Sequence, residues 1–370
     1  MRHLKILEMA AHCQLRSGTP ILMARLALGL KRAGHDVSCL FNGDVFVEKS
    51  DFDFLREEGI KVKIIEADRV RVNGSTAKSI IKLRNFLRKN KYDIVHAHDS
   101  QALDNLLLAS VGLDVTIVVS RGFMKKLNGY NALKYKLGKV KKIFVVSNAV
   151  KERMKESGKI LDDSKFVIFH GMLDTKSFEL ESNLRAELGI STKEKIIGIV
   201  TNESDIKGSD FLLQAYENAW KSGERYRLVL AGVTPEFVKK YIADEAILSS
   251  ISALGFRKDI PNILKGLDVF VFTSRGEEAL GLTIAEAQMA GVPVIVMNSG
   301  GSAEIVLDGK TGFVIEKGNI AELQEKISWL LSHESERVEM GIAAKLYAEE
   351  AFSMEEAVKN AERVYNGLLR

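Results

Sequence analysis

Two glutamates eight residues apart, Glu278 and Glu286, flank the start of an apolar run, EEALGLTIAEAQMAGVPVIV, residues 277–296. The run predicts a helix from about Leu282 to Ala290, stopped by Gly291-Val292-Pro293. Leu282, Ile284, Ala285, Ala287, Met289 and Ala290 leave no wide polar face, so the helix is expected to be buried. A buried carboxylate without a partner is costly or takes up a proton. Glu286 is therefore expected to have one, either a neighbouring arginine or backbone group, or a pair of sugar hydroxyls, which an ionised carboxylate accepts two at a time. Glu278, in the loop before the helix, could grip a second polyol. The amides of Ala279, Leu280, Gly281, Leu282 and Thr283 would then face an anion between the two. Hydroxyls at both ends and an anion in the middle describe a nucleoside-diphosphate sugar.

Other strand ends in the same half carry related chemistry. Lys207-Gly208 opens a helix after IIGIVT, where a lysine opposes the helix dipole unless an anion sits there too; a solvated surface lysine is the plain alternative. Gly255 ends the strand in ISALGF and allows a flat ligand such as a base to approach, or is a simple turn glycine. VFVFTS ends at Ser274, and NSGGSAEIV offers Gly300 and Gly301 for close approach, with Glu304 expected to cap or pack locally.

These residues need strand ends to stand on. Short β-branched runs alternate with amphipathic stretches along the whole chain: LKILEM, DVSCLF, KVKII, DIVHAH, VTIVVS and KIFVVS, then KFVIFH, IIGIVT, YRLVLAG, ISALGF, VFVFTS and VPVIVM. Strand then helix, repeated, predicts α/β architecture with parallel sheets covered on both faces. The pattern restarts once, which predicts two doubly wound, Rossmann-like domains, residues 1–175 and 176–350, followed by a helix over 351–370. Ligands of such sheets gather beyond the carboxyl ends of the strands, so two domains facing each other would make a cleft.

The 370 residues are 46% hydrophobic and 28% charged, an ordinary globular composition. The two cysteines, Cys13 and Cys39, suggest neither a disulfide framework nor a zinc site and fit a reducing cytoplasm. No apolar run approaches the roughly 20 residues of a membrane span, and Lys5 and Glu8 make the N-terminal stretch a first strand rather than a signal peptide. The net charge of +4 is unevenly spread: residues 1–170 hold 31 basic and 18 acidic side chains, the remainder 22 and 31. The basic half is expected to meet something anionic.

The order KG (207–208), GFRKDIP (255–261), VFVFTS (269–274), Glu-x7-Glu (278–286) and GGSAE (300–304) is similar to the retaining family 4 glycosyltransferases of the GT-B fold. The first half agrees more loosely, through GHDVSCLF, YDIVHAH, VVSNAV and VIFHGMLDTKSF. The resemblance implies that Glu286 holds the nucleotide's ribose and Glu278 the donor sugar. It further implies that Lys207 and the backbone at Ala279–Leu282 neutralise the diphosphate, with Gly255 and Phe256 near the base. It implies that the final helix crosses back onto the first domain, and that transfer is metal-independent, with retention, the departing diphosphate taking the acceptor's proton in a front-face reaction. No cofactor beyond the donor is implied.

The chain also departs from that family. Asn202 stands where many relatives carry an arginine on the donor side, so Arg16, Arg121 or Arg257 is expected to supply the charge. RSGT replaces a Gly-Gly pair, leaving Gly18 for close approach and Ser17 and Thr19 as donors. Ser120-Arg121 stands where a histidine is frequent.

In the first half, His96 and His98 share one strand face and, with Asp99, are expected to line the acceptor side. A metal there is disfavoured for want of a further ligand nearby. Asp51-Phe52-Asp53 is expected to be solvent-facing or capping rather than a metal motif. Residues 124–142, MKKLNGYNALKYKLGKVKK, hold seven lysines and no acid, which suggests an anionic lipid surface or a phosphorylated acceptor. That places the protein in the cytoplasm, peripheral at the inner face of the membrane, with an envelope glycan or glycolipid such as lipopolysaccharide as acceptor. Aromatic content of 7% and the lack of a recognised module argue against nucleic acid. A nicotinamide oxidoreductase would need G-x-G-x-x-G where AHCQLRSGTP stands. A non-enzymatic nucleotide- or glycan-binding protein of the same fold is the remaining alternative.

Overall fold

The computed structural model describes residues 2–11, 18–43, 52–66, 77–160, 162–173 and 175–369. Two compact units result: residues 1–172 with 354–370, and residues 173–353. In the first, seven strands pair in parallel: β1 Lys5–Ala10, β2 Asp36–Gly43, β3 Lys61–Glu66, β4 Ile94–Ala97, β5 Thr116–Arg121, β6 Val140–Val145 and β7 Phe166–Ile168. Their order is β3-β2-β1-β4-β5-β6-β7. The second has β8 Ile196–Val200, β9 Arg227–Ala231, β10 Ile251–Ala253, β11 Val269–Phe272, β12 Val294–Met297 and β13 Gly312–Ile315, ordered β10-β9-β8-β11-β12-β13. β7 pairs with β6 and closes the first sheet. β13, in GKTGFVI, is a strand the sequence pattern did not single out.

In both sheets the strand order reverses once, between β1 and β4 and between β8 and β11. The loops after these strand pairs diverge and leave a crevice at the carboxyl edge. Nearly every candidate residue lies in one of these loops or beside it, so the topology positions the site.

The last helix, Met354–Leu368, belongs to the first unit. Its Ala357, Val358, Ala361 and Tyr365 join the core formed by Leu4, Ile6, Leu26, Leu30 and Phe41. It lies so close to the helix Gly18–Arg32 that a Cβ on Gly29 would stand 2.4 Å from Val358 Cγ2. Polar contacts fix its register. His35 Nδ1 accepts from the Leu4 N–H at 3.2 Å, which leaves the proton on Nε2, and Nε2 donates to Glu362 at 2.8 Å. Glu362→Ala leaves that buried donor without an acceptor. It is expected to lower stability by about 2 kcal/mol, the scale of a hydrogen bond to a charged group. Urea denaturation of wild type and variant checks this, and an unchanged midpoint would mean that the pair contributes nothing.

Candidate functional site

In the second unit the chain leaves β8 through Thr201 and Asn202 and tightens into a 3-10 turn, Asp205–Lys207. Gly208 follows at φ +64°, and a Cβ there would sit 2.1 Å from the Thr273 carbonyl oxygen. Only glycine lets the turn press against the end of β11, and this closeness brings Lys207 to the neighbouring loop. Lys207 Nζ lies 2.8 Å from Glu278 Oε1, and the Ser274 hydroxyl reaches the same oxygen at 2.7 Å. The lysine also stands 5.9 Å from the Phe272 ring centroid. Ser274, Lys207 and Glu278 thus converge at the β8/β11 reversal.

The loop after β12 holds Glu278 from the other side. The Glu278 N–H donates to Ser299 O at 3.0 Å and Gly301 N–H donates to Glu278 O at 2.8 Å. A Cβ on Gly300, at φ +72°, would stand 2.5 Å from that same carbonyl oxygen. The glycine pair therefore clasps the glutamate's backbone.

Gly281, at φ +83°, turns the chain into the helix Leu282–Met289, whose N terminus has no side-chain cap. A helix start without a side-chain cap leaves first-turn amides that suit an anion. The helix is not buried all round, as its composition predicts. Ile284, Ala285, Ala287, Gln288 and Met289 are buried, whereas Leu282, Thr283, Glu286 and Ala290 form a half-open stripe. Glu286 sits one turn from the uncapped end on that stripe. Its partner is thus not forced by burial, and its placement beside the amides carries the argument instead.

Gly255 follows β10 at φ +60° with nothing within 4 Å of a Cβ position, and Phe256 is 83% exposed. Gly232 N–H donates to Gly255 O at 2.6 Å, tying the ends of β9 and β10 together. Arg257 is not a spare cation. Its guanidinium binds Glu187 and Asp259, contacts that raise the arginine's pKa and hold the Asp259 carboxyl well below the usual range. Asn202 is exposed, and its side chain accepts from Ser204 N–H at 3.1 Å. Arg275 is a cation the sequence pattern passed over. It follows Ser274 directly, pairs with Asp210, stacks 4.1 Å from the Phe211 ring centroid, and its N–H donates to Ile206 O at 2.7 Å. Its signal was being the one arginine of RGEEALG.

In the first unit the structure corrects three expectations. Asp99 does not project as a free acid: it caps the helix Ser100–Ala109 through Ala102 N–H at 2.8 Å and accepts Ala11 N–H at 2.7 Å. Arg121 is 9% exposed; it donates to Lys125 O at 2.5 Å and lies 5.9 Å from the Tyr135 ring centroid, shaping the following segment. The lysine run is not one solvated face. Lys134 is buried against Asp104 at 2.8 Å, and Lys139 donates to Leu113 O at 2.9 Å. Lys125, Lys126, Lys136 and Lys141 remain exposed, beside exposed Phe123, Tyr130, Leu133 and Leu137. Gly18 and Thr19 begin the first helix; their side chains, and Arg16, Ser17, Cys13 and Asp51, lie outside the described residues. Asp53 pairs with Arg56 at 2.6 Å on the surface.

His96 and His98 stack with ring centroids 4.2 Å apart. A third group, Glu8, stands with them, contrary to the expectation that no further ligand is near: among the described residues these three have atoms within 4.8 Å of one another. Both His96 nitrogens are already used, at 2.6 Å from Tyr365 Oη and 2.7 Å from Ser120 Oγ. Burial, and then the charge of His98, push the His96 pKa well below its ordinary value, so that ring is neutral. A metal would have to displace these bonds. Glu8 was legible only as an acid inside the apolar strand KILEMA.

Among the described residues no helix is long and apolar enough to cross a membrane. The family described as "Glycosyl transferases group 1" matches residues 181–347, and that described as "Glycosyltransferase Family 4" matches residues 16–177. Spore coat protein SA of Bacillus subtilis is 28% identical over 214 residues, 53% of this chain and 55% of that protein, so the match spans little more than half of that relative. The UDP-Gal:alpha-D-GlcNAc-diphosphoundecaprenol alpha-1,3-galactosyltransferase of Escherichia coli is 29% identical over 269 residues, 66% of this chain and 67% of that one. HepE of Anabaena, crystallised with UDP, superposes with a TM-score of 0.82 at 18% identity, covering 98% of this chain and 100% of that one.

Proposed function

From the premise that this chain belongs to the family 4 glycosyltransferases and is an enzyme of the GT-B fold, we propose that it moves a sugar, with retention and without a metal, from a UDP- or GDP-linked donor to a hydroxyl of an envelope glycan or glycolipid. The observation that carries this reading is the convergence of Lys207, Ser274 and Glu278 at the β8/β11 reversal, next to an uncapped helix N terminus with Glu286 on its open stripe. Lys207 and the amides of Ala279–Thr283 would hold the diphosphate, Glu286 the ribose, and Glu278 the donor sugar. A bound diphosphate would draw Lys207 from Glu278 and free the carboxylate for sugar hydroxyls. No protein nucleophile is required. Stabilising charge on the leaving diphosphate supplies most of the rate. UDP bound to HepE, and the lipid-diphosphate sugar in the name of the Escherichia coli relative, support the donor and acceptor classes.

Calorimetry with UDP-, GDP- and ADP-sugars, with and without EDTA, tests the donor assignment. Binding of one base, unchanged by EDTA, is the expected result; binding of none, or binding abolished by EDTA, overturns it.

The exposed Lys125, Lys126, Lys136 and Lys141, set among Phe123, Tyr130, Leu133 and Leu137, support a docking face for an anionic membrane. Aromatic and aliphatic tips enter the headgroup boundary while lysines meet lipid phosphates. Each lysine near such a surface contributes about 1 kcal/mol. The double variant Lys125→Glu, Lys126→Glu is therefore expected to weaken sedimentation with phosphatidylglycerol vesicles by at least about tenfold, with donor binding unchanged. Equal sedimentation of both proteins would remove this face from the proposal.

A further inference from the structure

We infer that Arg275 is a positioning residue for Lys207: it covers the charge of Asp210 and holds the chain on both sides of the lysine, so that the ammonium is left to meet a diphosphate. This rests on the reading that Lys207 holds the donor's diphosphate.

The donor side has few cations to spend. Asn202 is neutral, and Arg257 is committed to Glu187 and Asp259. The direction taken by the Lys207 side chain therefore matters, and one residue grips the chain around it. Ile206 O accepts from Arg275 N–H at 2.7 Å, from Gly276 N–H at 3.2 Å and from the Ser274 hydroxyl at 3.1 Å. These bonds fix the main chain immediately before Lys207. The Arg275 guanidinium fixes the chain after it. It pairs with Asp210 and lies 4.1 Å from the Phe211 ring centroid, both in the first turn of the helix Ser209–Lys221. Arg275 thus spans Lys207, with its backbone on one side and its side chain on the other.

Asp210 is the reason a cation is needed there. An acid in a first turn suits the helix dipole, but this one stands three residues from Lys207. Its side chain is 23% exposed, so water screens its charge only in part. Uncovered, it would draw the lysine's ammonium and repel a diphosphate. Arg275 removes both effects, and among the described residues Asp210 has no other ion pair. The arginine is turned to the protein: one face lies on Phe211, and its buried Nε has no hydrogen-bond partner among the described residues. Stacking and a carboxylate contact together suit a guanidinium better than an ammonium. Lys207 Nζ accordingly meets Glu278 Oε1, at 2.8 Å, and not Asp210.

The test is a double-variant cycle on the full chain, read by calorimetry with UDP and GDP and by equilibrium dialysis with uridine and guanosine. Arg275→Met is expected to weaken the nucleoside diphosphate that wild type binds about tenfold, the effect of one like charge beside an anion in a partly exposed site. Affinity for the matching nucleoside, which has no diphosphate, should not change. Asp210→Asn alone should bind as wild type does, and Asp210→Asn added to Arg275→Met should restore affinity to within about twofold. Arg275→Gln, which keeps a donor for Asp210, covers the case in which the methionine variant does not fold. A double variant no better than Arg275→Met overturns the inference, because the arginine then meets the diphosphate itself or only holds the fold. Full affinity in Arg275→Met overturns it too, as does an equal loss for nucleoside and diphosphate. Wild type that binds neither UDP nor GDP removes the proposed function and this inference with it, whereas the other failures leave the proposed function standing.

Discussion

Glu286→Ala is expected to weaken nucleotide-sugar binding about 100-fold and to change the stability of the second unit far less. Two hydrogen bonds from ribose hydroxyls to one carboxylate, each contributing about 1.5 kcal/mol, amount to roughly a hundredfold in affinity. The loss of stability should be smaller, because Glu286 is half-buried on the open stripe of its helix and alanine is the better helix former. Calorimetry with the donor, beside a melting curve, separates the two effects. A variant that melts early and still binds would falsify the ribose role and return Glu286 to the architecture of its helix.

Gly208→Ala is expected to have the largest effect on stability. Two independent penalties coincide there: φ of +64°, and a new methyl 2.1 Å from the Thr273 carbonyl oxygen, a backbone atom that cannot swing aside. The left-handed conformation alone costs an alanine about 1 kcal/mol, and relieving the overlap means prying the Asp205–Lys207 turn off β11. Together at least about 3 kcal/mol is expected, and with it the alignment of Lys207 against Glu278 and Ser274. Gly255→Ala is the internal control. Its φ, +60°, is nearly the same, but nothing lies within 4 Å of its Cβ, so it should cost only about 1 kcal/mol. Equal losses for the two variants in denaturant titration would show that the overlap is relieved without cost.

The sequence disclosed what depends on periodicity and chain order. Strand-helix alternation named both sheets, and the rule that ligands collect at strand ends pointed to Lys207, Ser274 and Glu278 before any distance was known. It hid what depends on which side chains meet. The open stripe of the Glu286 helix is lined by Leu282 and Ala290 as well as the glutamate, so its apolar composition masked it. Seven lysines within residues 124–142 read as one positive surface, because nothing in their spacing shows that Lys134 folds inward to an aspartate thirty residues upstream. Asp99 was legible as a cap, because an aspartate one residue before a helical run is a common N-cap.

The last helix has a consequence for how the chain is made. Residues 173–353 are contiguous and carry their own core, so they can fold as soon as they leave the ribosome. The unit synthesised first must wait. Its core lacks Val358, Ala361 and Tyr365 until the final stretch is translated, and His35 has no Glu362 to meet. Synthesis and folding thus run in opposite order. The N-terminal half emerges early and is completed last, so a ribosome that stalls or stops short of residue 354 releases a complete second unit tethered to a first unit that lacks part of its core.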